Sequence, residues 1–363
     1  MAKVTNNGRT VATKGTDHIA AAIAPDVCYV QKKKKDFPNW VASTQLKKGQ
    51  TTTVFIDKHP IWTSIGELGP LSEPAHEGRQ GGVVSKTYRF EAMAVSYSSD
   101  LFKQGNPVVR TEDLTSQNHE NTVGRVVEGM DLKQLQAELE EMVKSGKTPS
   151  WGKDVVIRKR GDQYIVLDRK NQVFYMTGNT LKIEGNPTFV RQTREALYTL
   201  ADTRSGRQLF DDLIDSKMRV RIVPTTAQNG FAIPNSFANA QMPGQGTRTT
   251  IQWNPSFMGD PGTNSNPTLI LGHELVHAHH NALGINAGGP WDTYPPQGGS
   301  SARGEERMTV GTSQTSIVDP AGNTVPVPDY STRVPSENSF RQDLGIPPRP
   351  TYYPPNFPGG PPW

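Results

Sequence analysis

The sequence predicts two domains in one chain, a small all-β module followed by an α+β domain, and three observations carry the prediction. Its 363 residues exceed what one typical hydrophobic core organises. The first 125 or so hold short alternating or β-branched runs separated by Gly and Pro turns. From about residue 150 to 363, strand-length runs alternate with stretches whose apolar residues recur at helical spacing. The boundaries expected are 1–125 for the β module, 126–149 for a helical linker and 150–363 for the α+β domain.

In the first module the strand candidates are 51–56, 83–90 and 107–110, and the Ala-rich stretch from His18 to Ala24 is its one helix-like segment. Next, Met130, Leu132, Leu135, Leu139 and Met142 recur among charged residues up to Ser145 and Gly146. That is an amphipathic helix, too short for a coiled coil, which either packs on one domain or spaces the two. Further on, 181–185 reads as a strand, and Val190, Ala196, Leu197 and Leu200 mark a helix that Gly206 stops. A further helix is expected over 209–214, with strands over 218–223 and 248–253.

Chemistry concentrates in Gly272-His273-Glu274-Leu275-Val276-His277, which contains the pattern H-E-x-x-H. Positions four apart share one face of a helix, so His273 and His277 both aim a ring nitrogen at one Zn²⁺. Glu274 beside them is placed to take a proton from metal-activated water and return it to a leaving amine. Asn266 and Pro267 give the helix a cap-and-proline start, and Leu269, Leu271, Leu275, Val276, Ala278 and Ala282 make it largely buried. His279 and His280 have the wrong offsets to join the same metal, and read as solvated or hydrogen-bonding groups. A catalytic zinc takes three protein ligands, so a third donor is expected downstream. The acidic pair Glu305-Glu306 supplies it after a Gly- and Pro-rich stretch, one carboxylate binding metal and its neighbour holding a ligand histidine in orientation.

With Glu305-Glu306-x-x-Thr309-Val310-Gly311, this motif resembles the NleD-type family of bacterial effector zinc metalloproteases, and more distantly the light chains of clostridial neurotoxins. The resemblance implies a zincin-like fold, Glu306 as the third ligand and Glu305 as the group behind a ligand histidine. It also implies that Arg349 and Tyr352, in an Arg-x-x-Tyr pattern, face the scissile carbonyl and stabilise the oxyanion. Ser336-Glu337-Asn338-Ser339-Phe340-Arg341 is similar to the family's closing segment. In zincins an edge strand beside the active-site helix binds extended substrate backbone, a place that 248–253 would fill.

The N-terminal module resembles the PAAR-like domain of type VI secretion systems in five segments. They are Pro25-Asp26-Val27-Cys28, Phe37-Pro38-Asn39-Trp40, Gly81-Gly82-Val83-Val84-Ser85, the run from Ser99 to Gly105, and Arg110-Thr111-Glu112-Asp113 with Asn118-His119-Glu120-Asn121-Thr122. That family forms a β-cone on the tip of the trimeric VgrG spike and often carries a toxin as a C-terminal extension. The broader group holds zinc near the cone's tip, for which Cys28, His59, His76 and His119 are this chain's candidates. Their irregular spacing favours a buried free thiol and surface histidines.

Composition narrows the classes. No apolar run is long enough to span a bilayer, and no signal-peptide pattern is expected at the start, so delivery by a contractile machine fits better than general export. One cysteine excludes an internal disulfide framework and suits a reducing cytoplasm. With a net charge of only +4, Lys32 to Lys35 read as a solvated loop and no nucleic acid is expected as partner. The reading is an α+β zincin-like metallopeptidase domain behind a small all-β PAAR-like cone. As a secreted type VI effector it would be made in the bacterial cytoplasm and hydrolyse peptide bonds of a recipient-cell protein with Zn²⁺. Two alternatives stay open: a structural spike-tip protein with an inactive zincin extension, and a zinc amidase acting on cell-wall peptide. The sequence leaves open the substrate, the kind of recipient and the existence of an immunity protein.

Overall fold

A computed structural model describes residues 3–70, 77–228, 230–259, 263–287, 300–313, 315–318, 324–326 and 328–350. The chain divides into two compact units, Met1–Gly178 and Asn179–Trp363. No helix among the described residues is long and apolar enough to cross a membrane.

The first unit is built on a seven-stranded antiparallel sheet. Its strands are β1 (His18–Ala22), β4 (Trp40–Ala42), β5 (Leu46–Ile56), β6 (His59–Leu68), β7 (Ala92–Ala94), β8 (Leu114–Gln117) and β9 (Thr122–Glu128). A hairpin of β2 (Asp26–Val30) and β3 (Lys33–Phe37) lies outside that sheet. The order in the sheet is β4-β1-β9-β8-β7-β6-β5. The Ala-rich stretch expected as a helix is therefore strand β1, paired with β9 and β4. Tertiary packing overrides alanine's helix preference. Ala20 faces a core with Val41, Trp62 and Val126, and its neighbours Ile19 and Ala21 face the opposite one. Small side chains let both faces be covered closely.

The expected strand at 83–90 is a turn segment instead. Asparagine side chains satisfy its backbone: Asn121 Oδ1 accepts from Val84 N and Ser85 N at 2.8 and 3.0 Å, and Asn118 Oδ1 from Phe90 N at 3.1 Å. Both amides also donate to buried Asp26, as do Asn39 at 2.5 Å and the Cys28 thiol at 3.5 Å. Cys28 is thus a buried free thiol whose pKa burial raises.

The amphipathic helix is α1 (Leu132–Ser145), capped by Asp131 and closed by left-handed Gly146. It is part of the first unit rather than a spacer, because Leu135, Leu139 and Met142 pack on Ile19, Ala21, Ala22 and Val127. An antiparallel meander follows, β10 (Val155–Arg160), β11 (Gln163–Asp168) and β12 (Val173–Met176). Its Tyr164, Val166 and Val173 share a core with Ile23, Val95 and Leu114. That shared apolar burial moves the division between units from the expected 150 to Gly178.

The second unit is a mixed α/β fold. Strands β13 (Leu181–Ile183), β14 (Val220–Pro224), β15 (Phe231–Pro234) and β16 (Thr249–Trp253) form a sheet in the order β13-β14-β16-β15. The first two pairings are parallel, and β15 is an antiparallel edge. The expected strand at 248–253 is therefore central and β15 takes the edge. Helices α2 (Pro187–Ala201) and α3 (Arg204–Ser216) lie between β13 and β14. Gly206 does not stop α2; it sits in the first turn of α3, whose cap Thr203 accepts from Gly206 N. Helix α4 (Pro267–Leu283) packs on α2, α3 and strands β15 and β16, and α5 (Ser300–Val310) and α6 (Glu337–Asp343) pack on it in turn.

If α1 belongs to the first unit, Leu139→Ala should lower that unit's stability by about 2–5 kcal/mol, as for a buried Leu in a packed core. The half-exposed Leu132→Ala should change it by less than about 0.5 kcal/mol. Urea unfolding followed by tryptophan fluorescence separates the two, and equal small effects would leave α1 as a mere spacer.

Candidate metal centre

Helix α4 starts where the sequence places it, with Asn266 Oδ1 accepting from Leu269 N and Pro267 in the first turn. Leu269, Leu271, Leu275, Val276 and Ala278 are buried. Gly272 permits close packing on this helix, since a Cβ there would meet Leu200 at 3.1 Å and Phe340 at 3.2 Å. One turn apart on the same face, the His273 and His277 rings meet edge to face, their Nε2 atoms 3.1 Å apart.

Glu306 completes a triangle. Its Oε2 lies 3.1 Å from His273 Nε2 and 3.3 Å from His277 Nε2. Donors on a tetrahedral zinc with bonds of 2.0–2.1 Å stand about 3.3 Å apart, so the three atoms fit the ion. The far nitrogens are tied down. His277 Nδ1 donates to Glu305 Oε1 at 2.8 Å, and His273 Nδ1 donates to Glu337 Oε2 at 2.9 Å. A neutral ring that donates from Nδ1 leaves its Nε2 lone pair for a metal.

Glu337, which sequence reasoning quoted without a role, is the first residue of α6. Arg341 Nε donates to it at 2.7 Å, and Arg349 Nη1 lies 3.0 and 3.3 Å from its two oxygens. Arg349 therefore reaches the site through Glu337, while Tyr352 lies outside the described residues. The sequence signals for Glu337 were its place in the segment that is similar to the family's closing segment and its position after Ser336, which caps α6. Nothing in its spacing points to His273. His280 and Thr309 were also missed as site residues, and both touch Glu305. His279 pairs with Asp212 of α3 at 3.1 Å.

Burial alone would lower the pKa of His273, but hydrogen bonds to Glu306 and Glu337 carry it up to about 9. His277 moves up against burial in the same way, through Glu306 and Glu305. Burial opposes ionisation of the glutamates, yet the histidines hold Glu305 and Glu306 well below the usual range, and Glu337 falls to about 2 with its arginines' help. Glu274 differs. It is buried, burial pushes its carboxyl up, and a Cβ on Gly230, beside the start of β15, would come within 2.6 Å of its Cγ.

Among the described residues one other group has metal-like spacing, Asp17, His18 and Glu128. Both His18 nitrogens already meet threonine hydroxyls, at 2.7 and 3.0 Å, and Lys3 pairs with Glu128. Cys28, His59 and His119 enter no such group, and His76 lies outside the described residues.

Two family models match the chain. Residues 177–352 match Peptidase M91, described as an effector protein, and residues 19–124 match the Toxin PAAR-like domain. The chain joins a PAAR-like domain to an M91 effector domain. No curated protein matches it. The M91 match suggests a peptidase, spans all three converging donors and begins just before the second compact unit.

Two outcomes are expected of this centre. Glu337→Gln should weaken zinc binding about 10–100-fold, the usual cost of losing a partner behind a ligand histidine, as read by competition with a chelator. Protons and metal compete for the same Nε2 lone pairs, and His273 holds its proton up to about pH 9. Zinc loading near neutral pH should then release protons, and affinity should rise as pH climbs toward 9, about tenfold per pH unit for each proton displaced. Calorimetry in buffers of different ionisation enthalpy reads this directly.

Proposed function

We propose that this protein is a type VI secretion effector, a PAAR-like spike-tip adaptor carrying a zincin-like zinc endopeptidase that cleaves a protein of the recipient cell. The observation that carries it is the convergence of His273, His277 and Glu306 at 3.1–3.3 Å, with Glu274 next to His273 on α4. In this reading His273, His277 and Glu306 hold Zn²⁺. A bound zinc supplies Lewis acidity, which polarises a peptide carbonyl and acidifies water.

The chain's own groups do the rest. Glu274, its carboxyl raised by burial, takes the proton of the attacking water and passes it to the leaving amine. Glu305 and Glu337 keep the two imidazoles aligned. Arg349, held beside His273 through Glu337, is the cation assigned to the developing oxyanion, with Tyr352 as its expected partner. The outer edge of β15, which pairs with β16 alone among the described residues, accepts extended substrate backbone by strand addition, which brings the peptide toward Gly230 and Glu274.

For the PAAR-like module, the match supports docking on a trimeric VgrG tip and delivery by a type VI system. The intact Glu274 favours catalysis over a purely structural spike protein. A zinc amidase of cell-wall peptide would use the same centre on another substrate.

Glu274→Gln should reduce cleavage of recipient-cell proteins by about 10²–10⁴-fold while zinc content and spike binding persist. Gly230→Ala should also lower activity with zinc retained, because the new methyl displaces Glu274. Mass spectrometry of recipient-cell extract after incubation reads both. Identical fragment patterns from wild type and Glu274→Gln would remove the peptidase reading.

A further inference from the structure

Glu305 has more partners than a single ligand histidine explains. Its Oε1 lies 2.8 Å from His277 Nδ1, 2.8 Å from His280 Nδ1 and 3.1 Å from Thr309 Oγ1, while Oε2 accepts from Ala287 N at 2.9 Å. His280 stands three residues beyond His277 on α4 and is 0% exposed. Its Nε2 has no hydrogen-bond partner among the described residues. A ring that gives its one N–H to a carboxylate and buries a bare nitrogen is neutral, in keeping with the downward push of burial on its pKa. His280 neither joins the converging donors nor borders Glu274, so the chemistry described above leaves it unused.

We propose that His280 is a positioning residue: its Nδ1–H anchors Glu305 Oε1, and through that oxygen it fixes the ring of His277 so that Nε2 points at the metal. The inference rests on the reading of this centre as a zinc site. Glutamate has three rotatable side-chain bonds, and a carboxylate swings unless several donors over-determine it. Here Ala287 N holds one oxygen, while Thr309 and His280 hold the other from α5 and α4. With His280's donor gone, Oε1 is free to follow Thr309, and His277 loses the acceptor that sets its tautomer and rotation.

The test uses the full chain and three variants. His280→Phe fills the space without a donor. His280→Asn places an amide N–H near the position of Nδ1, whereas His280→Gln carries its amide one bond too far, so the Asn–Gln pair decides the matter even where Phe does not fold. Zn²⁺ affinity is measured against a chromophoric chelator, and the visible absorption of the Co²⁺-loaded protein reports ligand geometry. His280→Phe and His280→Gln should weaken zinc about 10–100-fold and alter the Co²⁺ bands, with His280→Asn recovering most of both. Wild-type affinity and spectrum in His280→Gln, or equal losses in Asn and Gln, would overturn the proposal by making His280 a packing residue. Wild-type protein that binds no zinc, or keeps it through His277→Ala, is a different result. It would overturn the zinc reading itself.

Discussion

Two imidazoles whose Nε2 atoms face each other at 3.1 Å within a wall of packed side chains need their rings held from behind, because the facing nitrogens repel, bare or protonated, and a free ring would rotate away. The carboxylates of Glu305 and Glu337 supply that hold from two different helices. Each carboxylate is buried, and a buried charge is costly unless paired and hydrogen-bonded. Hence the further ring of partners. Arg341 and Arg349 stand behind Glu337, and His280, Thr309 and Ala287 N stand around Glu305. The same carboxylates push both histidines toward the protonated state, and a bound metal would displace those protons.

The fold of the second unit serves that constraint. Helix α4 is buried along most of its length and packs on α2, α3 and the sheet, which denies its histidines any easy solvent-facing alternative. Gly272 lets Leu200 and Phe340 close in on α4, and α6, which carries Phe340, also carries Glu337. Arg341, 0% exposed, reaches from α6 to the carbonyls of Thr263 and Asn264 just before α4 and fixes the two helices together. Glu274 sits beside Gly230, just before the edge strand β15.

Much of this is legible in the sequence because it is local. The helix carrying His273, Glu274 and His277 follows from periodicity, Asn266 and Pro267, and the spacing of four decides which two rings share a face. Strands such as β14 and β16 follow from β-branched runs of the right length. What the sequence hid is long-range. The run from His18 to Ala22 is a strand because two neighbours pair with it, and the 83–90 run is a turn because Asn118 and Asn121 capture its backbone. The edge position of β15 depends on strand order, which propensity does not encode. No spacing assigns Glu337 or His280 a role; their importance appears only when α5 and α6 dock against α4.

In this reading the buried carboxylates of Glu305 and Glu337 aim two histidines, beside Glu306, at a single zinc. Zinc-edge X-ray absorption on the purified protein tests it most directly. The account predicts one zinc per chain, bound by two imidazole nitrogens at about 2.0–2.1 Å and a carboxylate oxygen at about 2.0–2.2 Å, with a fourth light-atom position filled by solvent. A zinc with sulfur in its shell, or with one imidazole or none, would place the metal elsewhere and contradict it.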